Sequence, residues 1–283
     1  MPQAFDTRPD RTSDADNASA EEALRIVQIS DCHLYADPAG CLVGVNTQET
    51  CDQILQMAKQ QLWPVDLLLA TGDLVHDASP AGYRRLRTRF QALEVPVHCL
   101  PGNHDLPEVM NQHLQADRVR MDRVFQHAGW LVILLDSTIP GEERGRLSSA
   151  ELSLLEQTLA SHPQQHVLIT FHHHATPVGS RWMDRMALDN PDDLFRVVDH
   201  HRNVRGILWG HIHQAFEGRH GEVRLMGSPS TCIQFTPRQD RFGIDPRAPG
   251  LRWLKLLTDG TILSGIQRLD STPLALDLGS PGY

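Results

Sequence analysis

Short apolar runs alternate with amphipathic helical segments along most of this chain. Each run has the length of a β-strand, and the alternation is typical of sheets covered by helices. The runs occupy residues 25–30, 65–70, 96–100, 130–135, 166–171 and 205–209. Helix-start signals follow several runs, each pairing a capping side chain with Glu or Pro: Asn46 with Glu49, Ser79 with Pro80, Ser148 with Glu151, and Asn190 with Pro191. The alternation predicts an α/β or α+β fold.

The two ends of the chain depart from this pattern. Residues 222–226, 251–257 and 261–267 predict antiparallel strands, with Asp259 and Gly260 as a hairpin turn between the last two. Residues 1–22 are polar, acidic and aperiodic, which predicts a disordered acidic leader without the basic and apolar stretches of a signal peptide. Residues 271–283 predict a loose C-terminal tail. We therefore expect a single domain over residues 23–270.

Charge and cysteine content exclude several classes of protein. The chain has 26 Lys and Arg against 35 Asp and Glu, a net charge of −9. This argues against a nucleic-acid partner, because non-specific binding to phosphate backbones needs a basic surface. The sequence has no run of about 18 apolar residues, so no membrane partner is expected. Five Cys without a CxxC spacing are typical of a reduced, cytoplasmic protein. The one abnormal number is 16 His, and His is the commonest metal ligand.

Polar side chains that can bind metals follow five of the predicted strands. In chain order the segments are Asp31-Cys32-His33, Gly72-Asp73, Gly102-Asn103-His104-Asp105, His172-His173-His174 and Gly210-His211-Ile212-His213. Strand ends are where open α/β sheets bind their ligands. Some segments alone are weak evidence, since Gly-Asp is usually a turn and three consecutive His can form an exposed polar stretch, whereas residues 102–105 (GNHD) and 210–213 (GHIH) are more specific. Five in succession predict one shared metal site, or a degenerate site that has kept the fold.

The residue types in these segments suit two metal ions about 3.5–4 Å apart. Asp73 is the natural bridging ligand because its two oxygens can reach both ions. Asp31 and His33, as alternate residues of extended chain, can bind the first ion from one side, and Asn103 offers a neutral amide oxygen to the second. Two carboxylates against two divalent ions leave a charge of about +2, which attracts a phosphate. Mixed oxygen and imidazole ligands suit Fe, Mn or Zn better than Ca or Mg.

The order of the five segments resembles that of the calcineurin-like metallophosphoesterase family, whose signature spans residues 31–213 here. The sequence is more similar still to one branch, the bacterial class III 3′,5′-cyclic AMP phosphodiesterases. The features of that branch are residues 44–47 (GVNT), 70–74 (ATGDL), the His triplet, 209–214 (WGHIHQ), 230–235 (STCIQF) and 248–250 (APG). The resemblance implies a four-layer α/β/β/α sandwich with a dinuclear metal site at its strand ends.

The resemblance also implies a role for most residues of the five segments. The ligands of the first metal ion would be Asp31, His33, Asp73 and His213. Those of the second would be Asp73, Asn103, His172 and His211, because the family uses the first His of such a triplet. His104 would stabilise charge or protonate the leaving group, and Asp105 would orient the His104 imidazole. The residues expected to contact the nucleotide are His33, Asp73, Asn103, His104 and His213.

The implied function is hydrolysis of 3′,5′-cyclic AMP to 5′-AMP by a hydroxide bridging two metal ions, most simply Fe or Mn, with Zn as an alternative. The expected partner is therefore a small molecule, and the sequence defines no oligomeric state. A broader phosphodiesterase acting on 2′,3′-cyclic nucleotides or glycerophosphodiesters would share the five segments. So would a nuclease, against which the negative charge counts, and a protein phosphatase, which no docking segment supports. A His-rich metal buffer would not need a bridging Asp and a neutral Asn.

Overall fold

The computed structural model describes residues 23–271, 275–280 and 282. The predicted leader, residues 1–22, lies outside the described residues, as do 272–274, 281 and 283 of the predicted tail. Within the tail, the backbone N–H of Asp277 donates to the carbonyl of Val43 at 3.0 Å, so this part is attached to the body of the fold. In the described ranges, the structure contains no helix long and apolar enough to cross a membrane.

The helices and strands occur in the alternating order that the sequence predicts. The helices are α1 (Thr47–Gln61), α2 (Pro80–Gln91), α3 (Pro107–Leu114), α4 (Ser149–Ser161), α5 (Arg181–Asp184) and α6 (Pro191–Asp199). The strands are β1 (Leu24–Ile29), β2 (Cys41–Leu42), β3 (Val45–Asn46), β4 (Leu67–Thr71), β5 (Val97–Leu100), β6 (Val119–Arg120), β7 (Val124–His127), β8 (Trp130–Leu134), β9 (His166–Thr170), β10 (Val204–Trp209), β11 (Phe216–His220), β12 (Val223–Gly227), β13 (Gln234–Phe235), β14 (Ile244–Asp245), β15 (Gly250–Leu256) and β16 (Ile262–Arg268). The six predicted apolar strands are confirmed within two residues at each end.

The predicted helix starts are also confirmed, mostly by the expected hydrogen bonds. The side chains of Asn46, Ser79 and Ser148 each accept a hydrogen bond from the backbone N–H three residues later, at 3.0–3.2 Å. Asn190 precedes α6 but does not cap it. Its amide group instead bonds both the N–H and the carbonyl of Leu147, each at 3.0 Å. This residue therefore anchors the start of α6 to the loop that precedes α4.

The strands form two six-stranded mixed sheets. The first has the order β16-β15-β1-β4-β5-β6, and the second has the order β11-β12-β10-β9-β8-β7. Within them, β1, β4, β5 and β6 are parallel, and so are β8, β9, β10 and β12. Strands β15 and β16 add antiparallel pairs to the first sheet. The antiparallel prediction for residues 222–226 is confirmed by the pairing of β12 with β11, and this pair lies in the second sheet, apart from β15 and β16. An unpredicted edge strand, β11, turns back at Gly221 into β12, which then runs parallel to β10.

The two sheets pack face to face between two layers of helices. Alternate side chains of each strand face opposite sides of its sheet. The inner set from both sheets forms one apolar cluster: Leu24, Ile26, Leu67, Leu69, Trp130, Val132, Leu168, Leu208, Met226 and Leu254 among others. The outer face of the first sheet packs on α1, α2 and α3, and that of the second packs on α4, α5 and α6. The predicted four-layer α/β/β/α sandwich is confirmed.

Candidate dinuclear metal site

Five loops at one edge of the sandwich bring the predicted ligands together. They follow β1, β4 and β5 of the first sheet and β9 and β10 of the second. The loops after β1 and β4 continue the pairing of their strands, since the N–H groups of Asp31 and His33 donate to the carbonyls of Gly72 and Asp73, both at 2.9 Å. The backbone therefore fixes three predicted ligands relative to one another.

Most of the ligands adopt a backbone conformation that the sequence argument did not foresee. The φ angles of Asp31, His33, Asp73, His211 and His213 lie between 47° and 65°. These residues are left-handed rather than extended, so the assumption that alternate residues of extended chain present Asp31 with His33 was wrong. Left-handed non-Gly residues cost on the order of 1–3 kcal/mol each and concentrate at functional sites. The side chains still converge because each loop turns sharply at its ligands.

Asp31, His33 and His213 form the first group of ligands. Each is buried, and one ligand atom from each lies within 4.8 Å of the others. Nε2 of His33 is 3.2 Å from Nε2 of His213, which is itself 3.3 Å from Oδ1 of Asp31. Nδ1 of His213 is 2.9 Å from the carbonyl oxygen of Ile233. Because a carbonyl only accepts, Nδ1 carries the proton and the Nε2 lone pair faces the group.

Asp73, His172 and His211 form the second group. Their ligand atoms also lie within 4.8 Å of one another. Nδ1 of His172 donates to the carbonyl of Thr71 at 2.9 Å, which leaves its Nε2 lone pair toward the group. Nε2 of His172, Nε2 of His211 and Oδ1 of Asn103 are buried without a hydrogen-bond partner among the described residues. Unsatisfied buried atoms of this kind are rare, and a metal ion bound by this group would satisfy the two imidazole nitrogens.

Asp73 lies between the two groups, as a bridging ligand must. Its Oδ2 is 3.8 Å from Nε2 of His33 in the first group and 3.3 Å from Nε2 of His172 in the second. Ligand atoms about 2.0–2.2 Å from a common ion are separated by distances of this order. Six of the seven predicted ligands, all but Asn103, therefore form two groups that fit two metal ions with Asp73 between them.

The three side chains of the His triplet have different contacts. Only His172 belongs to a ligand group among the residues that the structure describes. His173 shares a hydrogen bond of 2.8 Å with the hydroxyl of Ser137, and His174 lies 3.5 Å from the carboxylate of Asp184. The placement of His172 at the metal group agrees with its selection as the first His of the run.

Burial and the neighbouring ligands determine the charges within the site. Burial favours neutral His172, but the carboxylates of Asp73 and Asp31 outweigh it and raise the pKa of His172 to about 9. Burial lowers the pKa values of His33 and His211 well below the ordinary value, which keeps both in the neutral form that binds metal. Burial acts to raise the pKa of the Asp73 carboxyl, yet His172 holds that pKa well below its usual range. The site thus combines an ionised bridging carboxylate with neutral His33 and His211, whereas His172 must release a proton in order to bind a metal ion.

His104 and Asp105 lie beside the ligands, but the Asp105 carboxylate has a wider role than orienting one ring. It accepts hydrogen bonds from the backbone N–H groups of Leu74 and Gly102, at 3.1 and 3.0 Å, and from the Tyr83 hydroxyl at 2.7 Å. Burial and the charge of Asp73 raise the Asp105 pKa to about 6. These bonds tie the loop after β4, at Leu74, to the loop after β5, at Gly102.

One further histidine, His76, lies at the site although the sequence argument did not select it. Its Nδ1 is 3.1 Å from Nδ1 of His33, and its ring stacks on that of His104 with centroids 4.4 Å apart. The signal in the sequence is weak, because a single His three residues after Asp73 has no motif of its own. Only the pairing of the loops after β1 and β4 places it there.

Comparison with known proteins agrees with this geometry. The family model described as calcineurin-like phosphoesterase matches residues 24–215. The chain belongs to the calcineurin-like phosphoesterase family. It is 37% identical over 265 residues to the 3′,5′-cyclic adenosine monophosphate phosphodiesterase CpdA of Pseudomonas aeruginosa, covering 94% of this chain and 97% of that protein. It is 38% identical over 266 residues to the protein of the same name from Escherichia coli K12, again covering 94% and 97%.

A solved structure supports the fold independently of close sequence similarity. The dimetal phosphatase of Danio rerio superposes with a TM-score of 0.60, covering 85% of this chain and 98% of that one at 16% identity. At this identity the likeness concerns the fold alone. Together, the family match and the two ligand groups make this chain a metallophosphoesterase with a site for two metal ions.

Proposed function

We propose that this protein hydrolyses 3′,5′-cyclic AMP to 5′-AMP. The observation that carries the substrate assignment is the similarity to the two CpdA phosphodiesterases, which extends over 94% of this chain. Asp31, His33, Asp73 and His213 would hold one metal ion, and Asp73, Asn103, His172 and His211 the other. We further propose Fe or Mn as the physiological metals, on the basis of the mixed imidazole and oxygen ligands. When bound, two such ions polarise the phosphate and make a hydroxide available near neutral pH.

Substrate binding and protonation of the leaving group would be carried out by side chains. The nucleotide phosphate would contact His33, Asp73, Asn103, His104 and His213, all at the same edge of the sandwich. Of these, we propose His104 as the general acid. Its backbone N–H donates to Oδ1 of Asp73 at 2.9 Å, and its Nδ1 lies 3.3 Å from the carbonyl oxygen of His76. Because that carbonyl only accepts, Nδ1 keeps its proton, and the doubly protonated imidazolium form of His104 would give the proton on Nε2 to the departing 3′ oxygen.

The roles of His104 and Asp105 can be separated from metal binding. His104→Ala is expected to retain both metal ions and to lose about 10²–10⁴-fold in turnover of cyclic AMP, the range for a general acid. The loss should be smaller for bis(p-nitrophenyl) phosphate, whose leaving group needs no proton. Metal analysis of the same preparation checks the assignment, since a loss of one ion would identify His104 as a ligand. Asp105→Asn should lower both turnover and thermal stability, because the Asp105 carboxylate connects the loops after β4 and β5.

The substrate proposal is tested by product release from a panel of phosphodiesters. The purified protein, supplied with Fe, Mn or Zn, is assayed on 3′,5′-cyclic AMP, 3′,5′-cyclic GMP, 2′,3′-cyclic AMP, a glycerophosphodiester and bis(p-nitrophenyl) phosphate. We expect turnover of 3′,5′-cyclic AMP that disappears in Asn103→Ala. Turnover confined to 2′,3′-cyclic nucleotides or glycerophosphodiesters would retain the metal site and contradict the substrate.

The location and extent of the working unit are part of the same proposal. All five cysteines are free thiols, and four of them are buried, which is typical of proteins from a reducing compartment. We therefore propose a cytoplasmic enzyme whose functional unit spans residues 23–270. Deletion of residues 1–22 should leave turnover unchanged.

A further inference from the structure

His76 connects a metal ligand to the proposed general acid. Its backbone N–H donates to the carbonyl of Leu34 at 2.7 Å, which continues the pairing of the loops after β1 and β4. The half-buried imidazole thereby contacts the rings of both His33 and His104. One ring nitrogen from each of the three imidazoles lies within 4.8 Å of the other two.

The contact between His76 and His33 fixes the proton positions of both imidazoles. Nε2 of His33 faces the other ligands, being 3.2 Å from His213 and 3.8 Å from Asp73. When that nitrogen binds a metal ion, the His33 proton must lie on Nδ1. Nδ1 of His76 is 3.1 Å from Nδ1 of His33, so His76 must accept this hydrogen bond through a lone pair. Hydrogen bonds of this kind orient the ligand ring and strengthen the ligand.

The contact between His76 and His104 holds the His104 ring in place. The His76 and His104 rings are nearly parallel, with an interplanar angle of 24° and centroids 4.4 Å apart. The His76 carbonyl also accepts from Nδ1 of His104 at 3.3 Å. The His76 ring also contacts that of Tyr35, with centroids 4.8 Å apart. Because the His76 ring stacks on that of His104, its rotation would disturb the proposed acid.

We propose that His76 is a positioning residue that aligns both the metal ligand His33 and the general acid His104. The proposal deepens the proposed function and rests on it. Its two contacts have different chemistry: the contact with His33 needs a hydrogen-bond acceptor at the place of Nδ1, whereas the contact with His104 needs a flat ring. Single substitutions can therefore remove one contact and keep the other.

Three variants of the full chain separate the two contacts. His76→Asn keeps an acceptor oxygen near the Nδ1 position and removes the ring. His76→Phe keeps a ring and removes the acceptor, and His76→Leu removes both. All three retain the backbone bonds to Leu34 and His104. His127→Leu, on the exposed edge strand β7, is a matched control for loss of a His elsewhere.

Metal affinity is measured first, by competition with a chelator, because it does not depend on activity. We expect His76→Phe and His76→Leu to lose about 10–100-fold in metal affinity, the usual effect of removing the partner of a ligating His. His76→Asn should stay close to wild type. Unchanged affinity in all three variants, or equal losses in all three, would overturn the proposed hydrogen bond.

Turnover at saturating metal then tests the second contact. His76→Asn and His76→Leu should lose more activity on 3′,5′-cyclic AMP, which needs a protonated leaving group, than on bis(p-nitrophenyl) phosphate. His76→Phe should keep the wild-type ratio between the two substrates. Equal losses on both substrates would overturn the alignment of His104. If the wild type itself hydrolyses only the p-nitrophenyl diester, the proposed substrate fails, whereas the affinity series still decides the contact with His33.

Discussion

Gly102 leaves room for the bridging carboxylate, which makes Gly102→Ala a sharp test of the site. A Cβ built on Gly102 would lie 2.2 Å from Oδ1 and 2.3 Å from the backbone nitrogen of Asp73. Contacts below 3.0 Å are essentially never seen for real Cβ atoms. One of the close atoms belongs to the backbone, so the conflict cannot be relieved by rotating a side chain. The loops after β4 and β5 must therefore separate.

The size of the effect follows from what Asp73 contacts. Its Oδ1 accepts from the N–H of His104 at 2.9 Å, and its Oδ2 lies between His33 and His172. A shift of about 1 Å is enough to cost on the order of 10²-fold in rate when catalytic groups are misplaced. Overpacking of this kind also costs about 1–3 kcal/mol of folding free energy. We expect weaker metal binding, a fall in turnover of this order and a modest loss of stability.

The assay measures metal content per chain, turnover of bis(p-nitrophenyl) phosphate and thermal unfolding on the same preparation. Gly243→Ala is the matched control, because a Cβ there would make only an ordinary contact of 3.4 Å with the Thr236 hydroxyl. It should behave as wild type in all three measurements. Gly102→Ala with two ions per chain and undiminished turnover would refute the reasoning, because Asp73 would then tolerate displacement.

Three further predictions concern single side chains. Asn103→Ala should reduce the metal content from two ions to one per chain, as measured by elemental analysis, and abolish turnover; two retained ions would show that the amide is no ligand. Burial lowers the pKa of His98 to about 4, whereas in the unfolded chain it is about 6.5. The free energy of unfolding is therefore highest above pH 6.5 and falls as the pH drops toward 4, because only the unfolded chain takes up the proton in this range. His98→Leu should therefore remove about 2 kcal/mol of the stability difference between pH 7 and pH 5 in urea titrations, and an unchanged difference would contradict this. Arg252 is fully buried and donates hydrogen bonds to Glu217 and to the carbonyl of Gly227. Arg252→Met should lower the free energy of unfolding by about 1–3 kcal/mol, because the Gly227 carbonyl loses this donor. Equal stability of the variant and the wild type would contradict this.

The positions of the ligands along the chain could be predicted because each follows a strongly apolar strand. The runs that end before Asp31, Asp73 and Asn103 are local signals, and the pairing of β1, β4 and β5 then carries these residues to one edge. The packing of the two sheets against each other depends on residues far apart in sequence, such as Ile26 and Leu208, which belong to the same inner cluster. That part of the fold came from the family resemblance rather than from periodicity.

Other features could not be predicted because they depend on loop conformation. The left-handed backbone at Asp31 and His33 has no sequence signal, since neither residue is Gly. The Asp105 carboxylate was expected to serve the neighbouring His104, but its oxygens bond groups some thirty residues earlier in the chain, including the N–H of Leu74. His76 reaches His33 by the same loop pairing. Such contacts are set by tertiary structure and become visible only once the loops are placed.

The strained loops are held by polar contacts directly beneath them, inside the sandwich. Gln28 of β1 donates to the Thr71 hydroxyl at 2.8 Å and to the Trp209 carbonyl at 3.3 Å, and it accepts from the Ser228 hydroxyl. Thr71 immediately precedes Gly72 and Asp73, and Trp209 immediately precedes Gly210 and His211. One buried side chain therefore joins the ends of strands from both sheets at the level where the ligands begin. The ligand geometry thus depends on the packing of the two sheets, because the left-handed conformations persist only where the surrounding structure holds them.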